Sequence, residues 1–308
     1  MLLTLGVPLT DSSRPGPRKQ LRALLNTPGL SLIAAPGGYD GITARAIEQA
    51  GFPCVYMSGA GVSASRGFPD FGLLTLTEMA QAAGIMAGAV RIPVIADADT
   101  GYGNELNVTR TIREYERAGV AGCHIEDQVA PKRCGHLDGK ELISRDEFIA
   151  KIRAAVGARR DPDFLVIART DARAVVSLDE AVRRANAALK AGADMAFVEA
   201  AQSLEELAEI PRRVNGPCLL NIVRGGKTPD ISLPDAEAMG YRLAILPSLL
   251  IGAVLGACDE ALRTLATTRR PPLNANAVPV AERFRRFGAD EWNALRTRFR
   301  GAEAESPA

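Results

Sequence analysis

The chain has 308 residues with 37 basic and 36 acidic side chains, enough for one large domain with a full core and no charge excess. That balance excludes a basic stripe for nucleic acid and an acidic tail for a charged partner. No stretch reaches the roughly 20 apolar residues of a membrane span, and the apolar start Met1–Val7 is too short for a signal segment, so a cytoplasmic protein is expected. Five cysteines (Cys54, Cys123, Cys134, Cys218 and Cys258) show no repeated spacing and read as reduced thiols. The two histidines, His124 and His136, lie in one region, which excludes a multi-histidine zinc site.

Strand candidates run in chain order over Ser31–Ala35, Cys54–Ser58, Pro93–Asp97, Ala121–Glu126, Phe164–Arg169, Asp194–Glu199, Pro217–Ile222 and Tyr241–Leu246. Most are nearly continuous apolar runs, as strands buried on both faces of a parallel sheet should be. Amphipathic helices are predicted between them over Gly41–Ala50, Thr75–Val90, Glu105–Ala118, Ser144–Ala158, Ser177–Ala191, Ser203–Val214 and Pro234–Met239, with Leu249–Thr267 as the eighth. Ser177 with Glu180, and Ser203 with Glu206, have the spacing of capping boxes. Eight strand–helix units predict an α/β fold, a (β/α)8 barrel over residues 17–267. The alternative is an open doubly wound sheet, but no Gly-x-Gly-x-x-Gly follows the first strand. Residues 1–16 read as a tail. Residues 268–308 read as a Pro- and Asn-rich linker, an outer helix over Ala281–Arg300 broken near Phe287-Gly288, and a tail.

A barrel builds its site at the carboxyl ends of its strands. Those ends here carry Tyr56-Met57-Ser58, Asp97-Ala98-Asp99, His124-Ile125-Glu126-Asp127, Arg169-Thr170-Asp171, Glu199 and Asn221. A ring of structural ion pairs at the barrel mouth is the competing explanation. Asp97 and Asp99 lie two apart on a strand and point the same way. With Glu126, and with Asp70 from the Pro69-Asp70 loop, they make an all-oxygen set suited to Mg²⁺, with Mn²⁺ as the alternative. Asp97 is the expected direct ligand and the other three act through water. Asp99 reads alternatively as a helix cap near Asn104, and Asp70 as a simple turn residue. Gly59-Ala60-Gly61 after Ser58 offers free backbone amides for a carboxylate or enolate oxygen. Arg169 has the fork that holds a carboxylate through two hydrogen bonds. No lysine ends a strand, which argues against a Schiff-base aldolase.

The run Lys132-Arg133-Cys134-Gly135-His136 places one thiol between two cations and a histidine, a setting that stabilises the thiolate and lets it trade protons near neutral pH. The loop Val129–Lys140 is expected to close as a lid over the acid groups.

These motifs, with Gly38-Tyr39-Asp40, Asp97-Ala98-Asp99-Thr100-Gly101-Tyr102-Gly103 and Ala168-Arg169-Thr170-Asp171, follow one another in the order of a known family. Over roughly residues 20–265 the chain resembles the isocitrate lyase/phosphoenolpyruvate mutase superfamily. The Lys-Arg-Cys-Gly-His run is that of its lyase branch. The resemblance implies a (β/α)8 barrel whose last helix swaps between subunits, in a homotetramer that is a dimer of helix-swapped dimers. It implies Mg²⁺ and a small 2-hydroxy acid with two or more carboxylates, cleaved at C2–C3 to an α-keto acid and a second acid. Transferred to this chain, Cys134 protonates the departing enolate, and Tyr56 and His124 join it as catalytic residues, Tyr56 as the base. Arg169 steadies the keto-acid carboxylate held by Ser58, Gly59 and Ala60. Arg133, Gly135 and His136 bind the departing carboxylate, with Glu199 and Asn221 behind them.

After Asn221 the chain departs from the Ile-Thr-Glu-Phe-Gly common in 2-methylisocitrate lyases and reads Ile222-Val223-Arg224-Gly225-Gly226-Lys227-Thr228-Pro229. This is closer to the group of 2,3-dimethylmalate lyase and petal death protein. An apolar Val223 suits an alkyl group, whereas Arg224 either restores carboxylate binding or faces solvent. A 2-alkylmalate lyase is the expected activity. The alternatives are a 2-methylisocitrate lyase, then an oxaloacetate-cleaving or phosphonomutase-type enzyme.

Overall fold

The computed structural model describes residues 15–27, 32–272 and 278–300. Eight parallel strands close into a barrel in sequence order. They are β1 (Ile33–Gly38), β2 (Val55–Met57), β3 (Val94–Asp97), β4 (Gly122–Glu126), β5 (Leu165–Thr170), β6 (Met195–Val198), β7 (Cys218–Asn221) and β8 (Leu243–Leu246). The pairing of β1 with β8, from Ile33 opposite Leu243 to Pro36 opposite Leu246, excludes the open sheet. Gly37 permits it, because a Cβ there would lie 2.6 Å from the Pro247 backbone.

Helices α1 (Pro17–Asn26), α2 (Gly41–Gln49), α3 (Gly59–Ser65), α4 (Leu76–Ala89) and α5 (Glu105–Ala118) accompany the first half. The second half carries α6 (Arg145–Ala158), α7 (Ala172–Val175), α8 (Leu178–Lys190), α9 (Leu204–Arg213), α10 (Leu233–Met239) and α11 (Leu249–Thr268). Ser177 and Ser203 do cap α8 and α9, accepting from Glu180 N and Glu206 N at 3.2 Å. The expected reciprocal half is missing because the glutamates have stronger partners: Glu180 pairs with Arg184 and Glu206 with Arg173. Full capping boxes stand instead at Asp40, Thr75, Asn104 and Ser144.

The barrel interior is filled by residues two apart on each strand, including Ile33, Ala35, Tyr56, Ile95, Leu165, Ile167, Met195, Phe197, Leu219, Leu243 and Ile245. Leu21 of α1 joins this cluster fully buried, a contribution of about 1.5–3 kcal/mol. Its helix is tied down by Arg18 on Asp161 at 3.0 Å and Arg22 on Asp194 at 2.8 Å. The same period-2 parity, continued past the apolar layers, reaches Ser58, Asp97, Glu126, Arg169, Glu199 and Asn221, whereas Asp99, expected on the strand, and Asp171 lie in the turns beyond β3 and β5. The polar site is thus the next layer of the barrel interior.

The compact barrel unit spans Gly16–Leu255, and a second unit starts at Gly256. The expected barrel limit at residue 267 therefore falls within the second unit. Helix α11 has no buried side chain, so no packed core of its own marks a limit further along it. The second unit also holds α12 (Val280–Arg286) and α13 (Ala289–Arg300), separated at Gly288, whose φ of 83° ends a right-handed helix. Residues 1–14 and 301–308, expected as tails, and residues 273–277 of the expected linker lie outside the described residues. No helix among the described residues is long and apolar enough to cross a membrane.

Candidate active site

Strand β3 delivers Asp97, whose Oδ1 accepts from the Asp99 amide at 2.9 Å while its carbonyl accepts from Tyr115 Oη at 2.8 Å. A methyl at Gly59 would overlap the Asp97 carboxylate, so only glycine lets α3 start this close. Burial would raise Asp97, but His124, Lys132, Arg169 and the Asp99 amide outweigh it and hold the carboxyl at about 2. Asp99 adopts a φ of 46°, held there by the tight turn through Gly101 and Tyr102. It does not cap the following helix, a task taken by Asn104. Burial, with Asp97 and Asp70 nearby, raises Asp99 to about 6 against the opposing pull of Lys132. Glu126, fully buried at the end of β4, is pushed well above the carboxylate range by desolvation.

The main correction concerns Lys132. It reads in the sequence as one of two cations flanking the thiol, yet its Nζ reaches into the acid cluster. It bonds Asp70 and lies 2.9 Å from Asp99 Oδ1. Burial would lower it, but Asp99, Asp70, Asp97 and Glu126 drive it well above its ordinary value. The signal was its place at the head of the run. Among the described residues no three His, Cys, Asp or Glu side chains converge as a metal cage. The cluster nevertheless fits a hard cation. Its donors are all oxygen: Glu126 Oε1 is buried without a hydrogen bond among the described residues, and the buried Glu126 Oε2 and Asp99 Oδ1 are met by the cations Arg169 and Lys132. Mg²⁺ takes one or two carboxylates directly and keeps water on its other positions.

Arg169 departs from its expected role. Its Nε and Nη2 fork is spent on Asp171 at 3.0 and 3.3 Å, and Nη1 lies 3.0 Å from Glu126 Oε2. It therefore balances charge inside the site and does not offer a free bidentate clamp. Asp171, two residues on, was the missed partner, and Asp127 holds the Asp171 amide at 2.9 Å. Tyr56, expected as a base, has its phenol raised well above the ordinary range by burial and by Asp97, which disfavours a phenolate. Its Oη lies 2.8 Å from His124 Nε2. Burial lowers His124 to about 4, so the imidazole is neutral. Ser58 caps α3, accepting from Gly61 N at 3.1 Å, which makes the expected amide loop the first turn of a helix. The amides of Gly59 and Ala60 there have no acceptor within the helix.

The loop from Val129 to Lys140 lies down across the barrel mouth. Gly135 is packed so closely that a Cβ would be 2.6 Å from both Arg169 Nη2 and Glu199 Cγ. His136 Nε2 sits 3.0 Å from Glu199 Oε1, and its Nδ1 accepts from Lys227 N at 3.0 Å. Asn221 Nδ2 donates to both Glu199 oxygens at 3.2 and 3.1 Å. Burial would raise Glu199, but Arg169, His136 and Asn221 hold it at about 2. Arg133 is exposed, its guanidinium 5.8 Å from the Phe71 ring centroid. Arg224 is 89% exposed in its side chain and faces Asp230 at 3.5 Å, so of its two readings the solvent one holds. The expected stabilised thiolate is also corrected: desolvation raises the Cys134 thiol despite Lys132 and Arg169, and the group stays protonated at neutral pH.

A closed barrel with a buried, charge-dense layer at its carboxyl mouth is the architecture of a barrel enzyme. Residues 21–266 match the phosphoenolpyruvate phosphomutase family model. The chain belongs to this family, within the phosphoenolpyruvate mutase/isocitrate lyase superfamily, and its relatives place it among the carbon–carbon lyases. It is 48% identical to a 2,3-dimethylmalate lyase of Eubacterium barkeri over 75% of this chain and 80% of that one. A 2-methylisocitrate lyase of Aeropyrum pernix is 47% identical over 79% of this chain and 82% of the relative. Among solved structures, an oxaloacetate acetylhydrolase bound to 3,3-difluorooxalacetate superposes with a TM-score of 0.89 at 38% identity, over 94% of this chain and all of that one. A phosphonopyruvate hydrolase holding oxalate and Mg²⁺ superposes at 0.84 with 31% identity, over 93% of this chain and all of that one.

Proposed function

We propose that the chain is a Mg²⁺-dependent lyase that cleaves the C2–C3 bond of a 2-hydroxy dicarboxylate of the 2-alkylmalate type. The products are an α-keto acid and a second carboxylic acid. The observation that carries this reading is the loop seated across the barrel mouth: its Lys132 pairs with Asp70 and Asp99 of the acid cluster, its Gly135 packs on Arg169 and Glu199, and Cys134 lies between them in the chain. Asp97 would hold the cation directly, with the other three around it through water. When bound, the cation supplies a Lewis acid that lowers the pKa of the substrate hydroxyl.

The amides of Gly59 and Ala60, beside Ser58, bind the carboxylate next to that hydroxyl, and Arg169 supports it electrostatically. Tyr56 is the base for the hydroxyl proton, in the phenolate form that a bound cation would favour, with neutral His124 2.8 Å from its Oη to hydrogen-bond it. Cleavage leaves the second acid as an enolate, and Cys134 donates the proton that completes it. Arg133 and Gly135 hold that acid's carboxylate; His136, expected to join them, has both ring nitrogens engaged, with Glu199 and the Lys227 amide, and so positions the loop over Glu199 and Asn221. The seated loop keeps water from the enolate.

Dicarboxylates are favoured over a tricarboxylate because a third buried carboxylate needs a donor. Arg224 faces solvent, Lys227 pairs with Asp138, and Lys140 is bound to the Gly135 and Leu137 carbonyls. The relative named 2,3-dimethylmalate lyase supports the same choice, and the one named 2-methylisocitrate lyase supports the alternative. Rates with 2,3-dimethylmalate, 2-ethylmalate, 2-methylisocitrate and oxaloacetate, read by keto acid released, decide it. Turnover of none of them with Mg²⁺ present ends the lyase reading. A preference for 2-methylisocitrate moves the assignment to the alternative.

Assembly as a homotetramer belongs to the same proposal. Helix α11 buries none of its side chains and exposes Leu249, Val254, Leu255, Leu262 and Leu265, an apolar surface that suits a second copy of the chain. Sedimentation at micromolar concentration should give a tetramer, and a monomer would remove the swapped-helix arrangement. A small-molecule carboxylate is the proposed partner, with no nucleic acid or membrane. A cytoplasmic location fits five cysteines that are all free thiols.

A further inference from the structure

Gln128 has no part in the chemistry above, yet it is almost fully buried, at 1% exposure, where β4 passes into the loop. Its side-chain amide pairs with the main chain of Arg133 in both directions. Gln128 Nε2 donates to the Arg133 carbonyl at 2.9 Å, and Arg133 N donates to Gln128 Oε1 at 2.9 Å. This closes residues 128–133 into a ring with Lys132 on it and Cys134 as the next residue out. The base of the loop is held without this side chain, through Val129 N to Glu141 O at 2.8 Å and Ile143 N to Asp127 O at 3.0 Å. The amide pair therefore acts at the reactive end, on the two peptide groups that flank Arg133, the second of which leads into the thiol residue.

We propose that Gln128 is a positioning residue that fixes the Arg133 peptide, and through it sets the reach of the Cys134 thiol to the departing enolate. A proton donor is effective only within hydrogen-bond reach of its acceptor, and a misplacement of about 1 Å can cost on the order of 10²-fold. Only a side chain with one donor and one acceptor at this length makes both bonds. Glutamate keeps the acceptor for Arg133 N and loses the donor, and methionine keeps the length and loses both.

The proposal rests on the lyase reading, so its test has an arm that needs no substrate. Alkylation of Cys134 by iodoacetamide, followed by mass spectrometry, should change at least about fivefold in Gln128→Met, and an unchanged rate overturns the proposal. In turnover, Gln128→Met should lower kcat by about 10²-fold with KM within threefold, and Gln128→Glu by about tenfold. The solvent deuterium isotope effect on kcat should rise in both as proton donation becomes limiting, while keto-acid affinity stays within threefold. A Gln128→Met effect confined to KM, an unchanged isotope effect, or a Gln128→Glu as impaired as Gln128→Met overturns it. If Gln128→Met does not fold, the alkylation rate and isotope effect of Gln128→Glu decide the matter by the same criteria. Absence of turnover in the wild type removes the lyase reading, and the alkylation result then stands alone on thiol placement.

Discussion

The two ends of the barrel handle charge in opposite ways. At the amino-terminal end, Arg22 donates to the carbonyls of Pro162, Asp163 and Phe164 at 3.2 Å and pairs with Asp194, which also pairs with Arg159. Every one of these groups is partnered at the edge of solvent. At the carboxyl-terminal end, Glu126 and Asp99 are buried, crowd against other acids and are met by Arg169 and Lys132, yet desolvation still raises both. One end uses charge to tie α1 across the barrel floor. The other packs acids whose burial two cations only partly offset, which a bound cation can relieve further.

The largest effect that tests this contrast is at the thiol. Cys134→Ala should lower turnover by about 10³-fold while keto-acid affinity, measured by titration, stays within threefold. Loss of both would make the thiol structural. Next comes the cation: removal by a chelator should stop turnover and Mg²⁺ or Mn²⁺ should restore it. Asp97→Asn should weaken Mn²⁺ binding, read by electron paramagnetic resonance, and cost at least about 10²-fold in rate. A chelator-resistant rate would contradict the role of the acid cluster.

The contrast itself is broken or sharpened by one variant at each end. Glu126→Gln replaces a buried carboxyl that desolvation penalises more than Arg169 favours it with a neutral amide, so the thermal midpoint should hold or rise while turnover falls about tenfold or more. Arg22→Ala should cost roughly 1–3 kcal/mol, a fall of a few degrees in midpoint, with turnover within twofold. If both variants destabilise alike, the mouth is not the strained end. The smallest effect is in pH. The protonated thiol is the donor, and its pKa is raised by desolvation, so activity should persist through neutral pH and decline only in the alkaline range, above where an ordinary thiol ionises. His124, lowered to about 4, adds no acid limb between about pH 5 and 8. A decline beginning below neutrality as pH rises would mean a stabilised thiolate instead.

Much of this was legible in the residue order. Continuous apolar runs alternating with amphipathic segments specify a closed parallel barrel, and the boundaries of α5 agree to the residue with those predicted. Helix α1 and the short α3 and α7 were not foreseen. The first follows a Pro-rich start and is held through Arg18 and Arg22 to loops more than 100 residues away. The second is a Gly-Ala-Gly stretch of low intrinsic helicity, capped by Ser58. Asp97, Glu126, Glu199 and Asn221 could be named because strand parity carries them into the interior, and Asp70 and Cys134 because their loops lie in the connections that follow β2 and β4. The engagement of Arg169 with Asp171, the residue just past the end of β5, was hidden because the sequence does not say which charges pair.

By itself, then, the sequence determined the barrel, the layer that carries the chemistry and the thiol on its loop, since periodicity and residue type are local properties. Only the tertiary structure decided that Lys132 enters the acid cluster, that Arg169 is already engaged and that Arg224 turns to solvent. It also reversed the expected state of Cys134, because protonation depends on desolvation and on distances between charges brought together from different strands and loops.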